Sequence, residues 1–221
     1  LESLSCMGMQ RLSCGHCLHE LCVLHMRRFG ASGKCPLCQV PCDDLTPVQT
    51  LMDKAALHSA RGQHDKEFQL LEEVLSIDPD HAVATRNLGV YFCGGSAVGQ
   101  NYEKAVELYE KAYAAGDALA AQNLALLCLK GQGVEKNPER ATELFQSAHE
   151  AGLSEATCNL GNMYFSGLGV KQNFVKAQEL FEEAIESGLS GACFSFANLG
   201  IMYMYGYGVP KDLFKARELL E

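Results

Sequence analysis

Residues 118–153 read ALAAQNLALLCLKGQGVEKNPERATELFQSAHEAGL, and this stretch decides the fold. Apolar residues at i, i+3, i+4 and i+7 run along Ala118–Leu129 and again along Pro138–Ala151, which predicts two amphipathic helices. The turn Gly131–Val134, Gly-x-Gly-Val, separates them. Pro138 suits the first turn of its helix, and Gly152 suits a helix end. The unit recurs. Asn87-Leu88-Gly89, Asn123-Leu124-Ala125 and Asn159-Leu160-Gly161 are 36 residues apart, and Asn198-Leu199-Gly200 follows after 39. Ala105, Ala141, Ala177 and Ala216 keep the same rhythm, as do Gly116, Gly152 and Gly188. The turns Gly167–Val170 and Gly206–Val209 repeat Gly131–Val134. A helix pair repeated at this period must stack on its neighbours to bury its apolar face, so a mostly α fold, an α-α solenoid, is expected.

Composition bounds the rest. A chain of 221 residues, 48% hydrophobic and 20% charged, supports one sizeable domain or two unequal ones. No apolar run approaches the roughly 18–20 residues of a membrane span, and no charged-then-apolar segment opens the sequence. The net charge of -9 argues against a nucleic-acid binder, which needs a basic face for phosphates. Residues 1–50 carry four basic and four acidic residues, so the whole negative charge belongs to residues 51–221. Residue 1 is Leu, so the chain is expected to be part of something longer, with more helix beyond Glu221.

Cysteine is distributed as unevenly as charge. Seven of the 11 Cys (Cys6, Cys14, Cys17, Cys22, Cys35, Cys38, Cys42) and three of the seven His (His16, His19, His25) lie within residues 1–42. An odd Cys total with a His-mixed cluster fits metal ligation better than a disulfide framework. Thiolate and imidazole together suit Zn²⁺, which takes four N/S ligands in a tetrahedron. Cys93, Cys128, Cys158 and Cys193 stand singly among apolar residues and are expected to be small buried hydrophobes. Both groups predict a reducing compartment, cytoplasm or nucleus.

Cys14-Gly15-His16, His19, Cys22, a twelve-residue spacer and Cys35-Pro36-Leu37-Cys38 together resemble the second half of a RING-type zinc finger. The resemblance implies a small zinc-bound module over residues 1–42, with one complete site made by Cys14, His16, Cys35 and Cys38. It implies a second site that joins His19 and Cys22 to a Cys-x-x-Cys pair upstream of Leu1. A four-cysteine ribbon (Cys14, Cys17, Cys35, Cys38) is the competing scheme, and it leaves His16, His19 and Cys22 unused. RING fingers commonly act as ubiquitin ligases by docking a charged ubiquitin-conjugating enzyme. Val23, Pro36 and Leu37 are the residues the resemblance places on that docking surface; packing within the finger is their alternative role. Gln39 stands where many active RING fingers carry a basic residue.

The repeated unit resembles Sel1-like repeats over residues 82–221, preceded at residues 43–81 by a linker and one tetratricopeptide-like repeat marked by Gly62, Phe68 and Pro79. The first unit departs from the pattern, because its loop Gly94–Gly99 lacks the second Gly-x-Gly position. Such solenoids hold a protein or peptide in a groove lined mainly by first helices. Asn87, Asn123, Asn159 and Asn198 either line that groove or make a bond repeated in each unit. Tyr91, Tyr109, Tyr164, Phe165, Phe181 and Tyr203 fall at core spacing. The resulting expectation is a RING-type E3 ubiquitin ligase whose solenoid selects a substrate or partner, or else a non-catalytic zinc-containing scaffold.

Overall fold

Backbone amides at a helix start lack partners, and this chain supplies an acceptor for them at regular intervals. The computed structural model describes residues 9–11, 17–19, 23, 26–28, 47–187 and 192–221. Its elements are β1 (Met9–Arg11), β2 (Cys17–His19), α1 (Val48–Ala60), α2 (His64–Ile77), α3 (Ala82–Gly94), α4 (Tyr102–Ala114), α5 (Ala118–Lys130), α6 (Pro138–Glu150), α7 (Ser154–Ser166), α8 (Phe174–Glu186), α9 (Ala192–Tyr205) and α10 (Leu213–Leu220). Asn101, Asn137 and Asn173 accept from the amides of Lys104, Arg140 and Lys176 at 2.9, 2.9 and 3.1 Å, which starts α4, α6 and α8. Asp212 does the same for Lys215 at 3.0 Å and starts α10. These caps open every second helix of the Sel1-like units.

Glycine ends the first helices. Gly95, Gly131, Gly167 and Gly206 take left-handed φ values of 70°, 68°, 68° and 76° just after α3, α5, α7 and α9. The second glycine of each Gly-x-Gly turn has another reason. A side chain on Gly133, Gly169 or Gly208 would collide with Tyr102, Pro138 or Phe174, the first residue of the preceding second helix. Each turn therefore seats its backbone directly on the unit before it.

The chain divides into two compact units, residues 1–100 and 101–221. In the first, α1 and α2 form a helical hairpin around the Gly62 turn (φ 66°), and α3 packs on α2. In the second, α4 to α10 pack in sequence, each on the next. Leu124, Leu160 and Leu199 of the Asn-Leu-Gly/Ala triplets are buried, and so are Ala105, Ala141, Ala177 and Ala216. Gly161 lies against the Phe181 ring, where even a methyl group would force a shift. Tyr109, Phe181 and Tyr203 are buried in the second unit and Tyr91 in the first, while Tyr164 and Phe165 are partly buried. The aromatic spacing thus marks core.

β1 and β2 pair antiparallel in the register Met9↔His19, Gln10↔Leu18 and Arg11↔Cys17. Residues 26–28 are helical, and the Arg28 guanidinium pairs with Asp78 at 3.1 Å. Cys14, His16, Cys22, Cys35, Pro36, Leu37 and Cys38 lie outside the described residues, and of His19 only the backbone is described. Val23 has 0% of its surface exposed, which accords with its alternative role of packing inside the module. No helix among the described residues is long and apolar enough to cross a membrane. Among them no group of three or more His, Cys, Asp or Glu could hold a metal ion.

Candidate interaction groove

Residues four before and three after a given position share its helix face. Around Asn123 those positions hold Leu119 and Leu126; around Asn159, Glu155 and Asn162; around Asn198, Phe194 and Ile201. Leu119, Phe194 and Ile201 are exposed although apolar, with Phe194 at 71%. One face of the first helices α5, α7 and α9 therefore alternates apolar side chains with amides.

Amide hydrogen bonds tie that face together across the units. Gln122 Nε2 on α5 donates to Glu155 Oε2 on α7 at 2.9 Å. Asn198 Nδ2 on α9 donates to Asn162 Oδ1 on α7 at 2.6 Å. Gln122, Leu126, Glu155, Asn159, Asn162 and Phe194, with Cys158 at the base, enclose a cavity of about 370 Å³. Asn159 and Asn198 meet this face through their own or a neighbour's contacts, whereas Asn87 belongs to the first unit. There Asn87 Oδ1 accepts from Arg86 Nη1 at 2.8 Å. All four repeat asparagines are half-buried, and no one hydrogen bond is common to them. The residues that shape the cavity, Gln122, Glu155, Asn162 and Phe194, do not recur, so a search for period passes over them. Their offsets from the repeat asparagines are the signal that would have found them.

The first unit has its own cavity, about 380 Å³, lined by His64, Glu67, Arg86, Asn87 and Tyr91 among others. The Tyr91 hydroxyl donates to the buried Glu67 Oε2 at 2.6 Å, and His64 Nδ1 lies 3.2 Å from the same hydroxyl. Burial and the Glu67 carboxylate push the Tyr91 phenol well above its usual range, so it stays neutral.

Burial raises the thiol pKa of Cys158, with a hydrogen bond to Ser195 opposing it, and burial likewise raises that of Cys128. Little thiolate then exists at neutral pH. Iodoacetamide at pH 7 should leave Cys128 and Cys158 unmodified in the native chain and label both in denaturant, as read by peptide mass mapping. Equal labelling in both conditions would remove them from the core.

The sequence pattern of the family described as Sel1 repeat matches residues 82–117, 118–153, 154–189 and 197–221, more than half of the chain. No curated protein matches the chain. Among solved structures, a Sel1 repeat protein from Oxalobacter formigenes is similar at TM-score 0.68 and 23% identity, with 76% of this chain and 66% of that one covered. The protective antigen c5321 of uropathogenic Escherichia coli is similar at TM-score 0.56 and 23% identity, over 79% of this chain and 47% of that one. YrrB, a TPR protein, is similar at TM-score 0.52 and 24% identity, over 76% of this chain and 84% of that one. The chain thus spans less than two thirds of the first two structures' lengths. At these identities the likeness shows the fold alone, a mostly α-helical solenoid of Sel1/TPR-like repeats. The repeat pattern and this architecture agree, and the chain belongs to the Sel1 repeat family.

Proposed function

We propose that this chain captures a protein or peptide segment on the first-helix face of α5, α7 and α9. The observation that carries the reading is the alternation of exposed apolar side chains (Leu119, Phe194, Ile201) with amides (Asn159, Asn162, Asn198) along one face. Exposed apolar groups give a partner surface to bury, and amides satisfy its backbone. YrrB is described as having an unusual peptide-binding site, which makes peptide capture a reasonable use of the shared fold. Peptides selected from a displayed library on the full chain should bind a Leu119→Asp/Ile201→Asp variant at least about tenfold more weakly, roughly 1.4 kcal/mol. Both positions are exposed, so helicity by circular dichroism should not change. Peptides that bind the variant as well as the parent sequence would sink the reading.

The finer proposal is a RING-type E3 ubiquitin ligase in a reducing compartment, cytoplasm or nucleus. Its N-terminal segment would engage a ubiquitin-conjugating enzyme through Pro36 and Leu37 while the groove holds the substrate. The donor chemistry of Cys14, His16, Cys35 and Cys38 fits Zn²⁺, and the β1–β2 pairing brings the chain on either side of Cys14 and His16 together. Zinc there would be structural and would supply folding free energy that so small a segment lacks. The protein's part would be to hold enzyme and substrate in proximity and orientation. Buried Val23 and the neutral Gln39 favour the second reading, a non-catalytic scaffold. Discharge of ubiquitin from a panel of charged conjugating enzymes separates the two. Acceleration by the full chain that disappears in Cys35→Ala/Cys38→Ala supports the ligase. No acceleration while zinc is bound supports the scaffold.

A further inference from the structure

Gln122 is only 7% exposed, and its two amide atoms are treated differently. Nε2 donates to Glu155 Oε2, whereas Oε1 is buried with no donor among the described residues. Flipping the amide does not help, because the oxygen would then face the Glu155 carboxylate, acceptor against acceptor. An acceptor buried without a donor is unfavourable, so a donor in the cavity that Oε1 meets by a turn of the Gln122 side chain relieves it.

The cavity's other walls narrow the choice of donor. Glu155 is the charged side chain among its described lining residues, and the whole chain carries -9, so a cationic donor is favoured. Phe194 offers an exposed ring face, and Leu126 adds apolar wall. Asn162 Oδ1 is engaged by Asn198, which leaves Asn162 Nδ2 to donate to a backbone carbonyl.

We infer that this cavity takes an arginine side chain of the captured segment. The guanidinium has five N–H donors in one plane, so it serves the Glu155 carboxylate and Gln122 Oε1 together. The same plane stacks on Phe194. Lysine brings a compact, strongly hydrated charge that cannot span both acceptors and stack as well. The inference rests on capture at the first-helix face and specifies which side chain that face reads.

The test is an NMR titration of the full chain with acetyl-Leu-Arg-Leu-amide and with the matching Lys and Gln peptides. The arginine peptide is expected to shift the Gln122 side-chain amide and the Glu155 backbone amide. It should bind about fivefold more tightly than the lysine peptide and about tenfold more tightly than the glutamine peptide. Glu155→Gln should reduce the arginine peptide to the glutamine peptide's affinity. Equal affinity for all three, no shift with the arginine peptide, or indifference to Glu155→Gln would overturn the arginine assignment. Library selection on the same chain decides capture separately: groove-dependent peptides without arginine would leave capture standing and the present inference refuted.

Discussion

Phe181→Ala is expected to destabilise the unit formed by residues 101–221 by about 3–5 kcal/mol, the range for deleting a buried aromatic ring. Phe181 on α8 is fully buried and packs with Cys158, Ala177, Ala184, Leu199, Met202 and Tyr203. The void would be slow to fill. On one side the ring meets Gly161, which has no side chain to move in, and Ala177 and Ala184 are already small. A solenoid stacks its units pairwise, so a void between α7, α8 and α9 weakens the neighbouring interface as well. Global unfolding need not be two-state in such a chain, so amide exchange along α7–α9 is the sharper probe. Protection there should fall by two to four orders of magnitude, as about 1.4 kcal/mol per decade requires. A change of less than one decade would show that Phe181 does not anchor this core.

Gly169→Ala is expected to cost about 3–4 kcal/mol, a size reached only when a named strain is introduced. Its φ of 69° alone disfavours any other residue by roughly 1–2 kcal/mol. A Cβ there also collides with the Pro138 carbonyl, which is main chain at a helix start and cannot swing aside. Gly152→Ala is the control. Its φ is 85°, yet among the described residues nothing lies within reach of an added Cβ, so only the backbone cost, about 1–2 kcal/mol, applies. Urea titrations of the two variants should therefore separate clearly. Equal losses would mean that the Gly-x-Gly turn does not seat on the preceding unit.

The helix pairs, their period and the buried Leu and Ala positions were legible in the sequence because apolar spacing reports burial directly. What the period could not do was rank the asparagines. Asn123 and Asn159 recur at 36 residues, and so do Asn101, Asn137 and Asn173, with Asp212 following after 39. The second series is the structural one, since each member caps a helix, and the clue was its place just before a helical stripe. The groove was less legible for a physical reason. Repetition reveals what every unit needs in order to stack, while a ligand is read by what differs: Leu119, Glu155 and Phe194 occupy equivalent positions with unlike side chains. For Val23 the sequence left docking and packing both open, because an apolar residue in a small module can serve either surface or core; its burial accords with packing.

The central claim is that partners sit on the first-helix face. Photo-crosslinking tests it most directly, with p-benzoylphenylalanine placed at Phe194 on α9 in one sample and at Val175 on α8 in another. Val175 is 55% exposed, so both probes reach solvent. With a peptide selected on the full chain, the account predicts a covalent adduct from position 194 and none from position 175. An adduct from position 175 alone would place the partner on the second helices and contradict it.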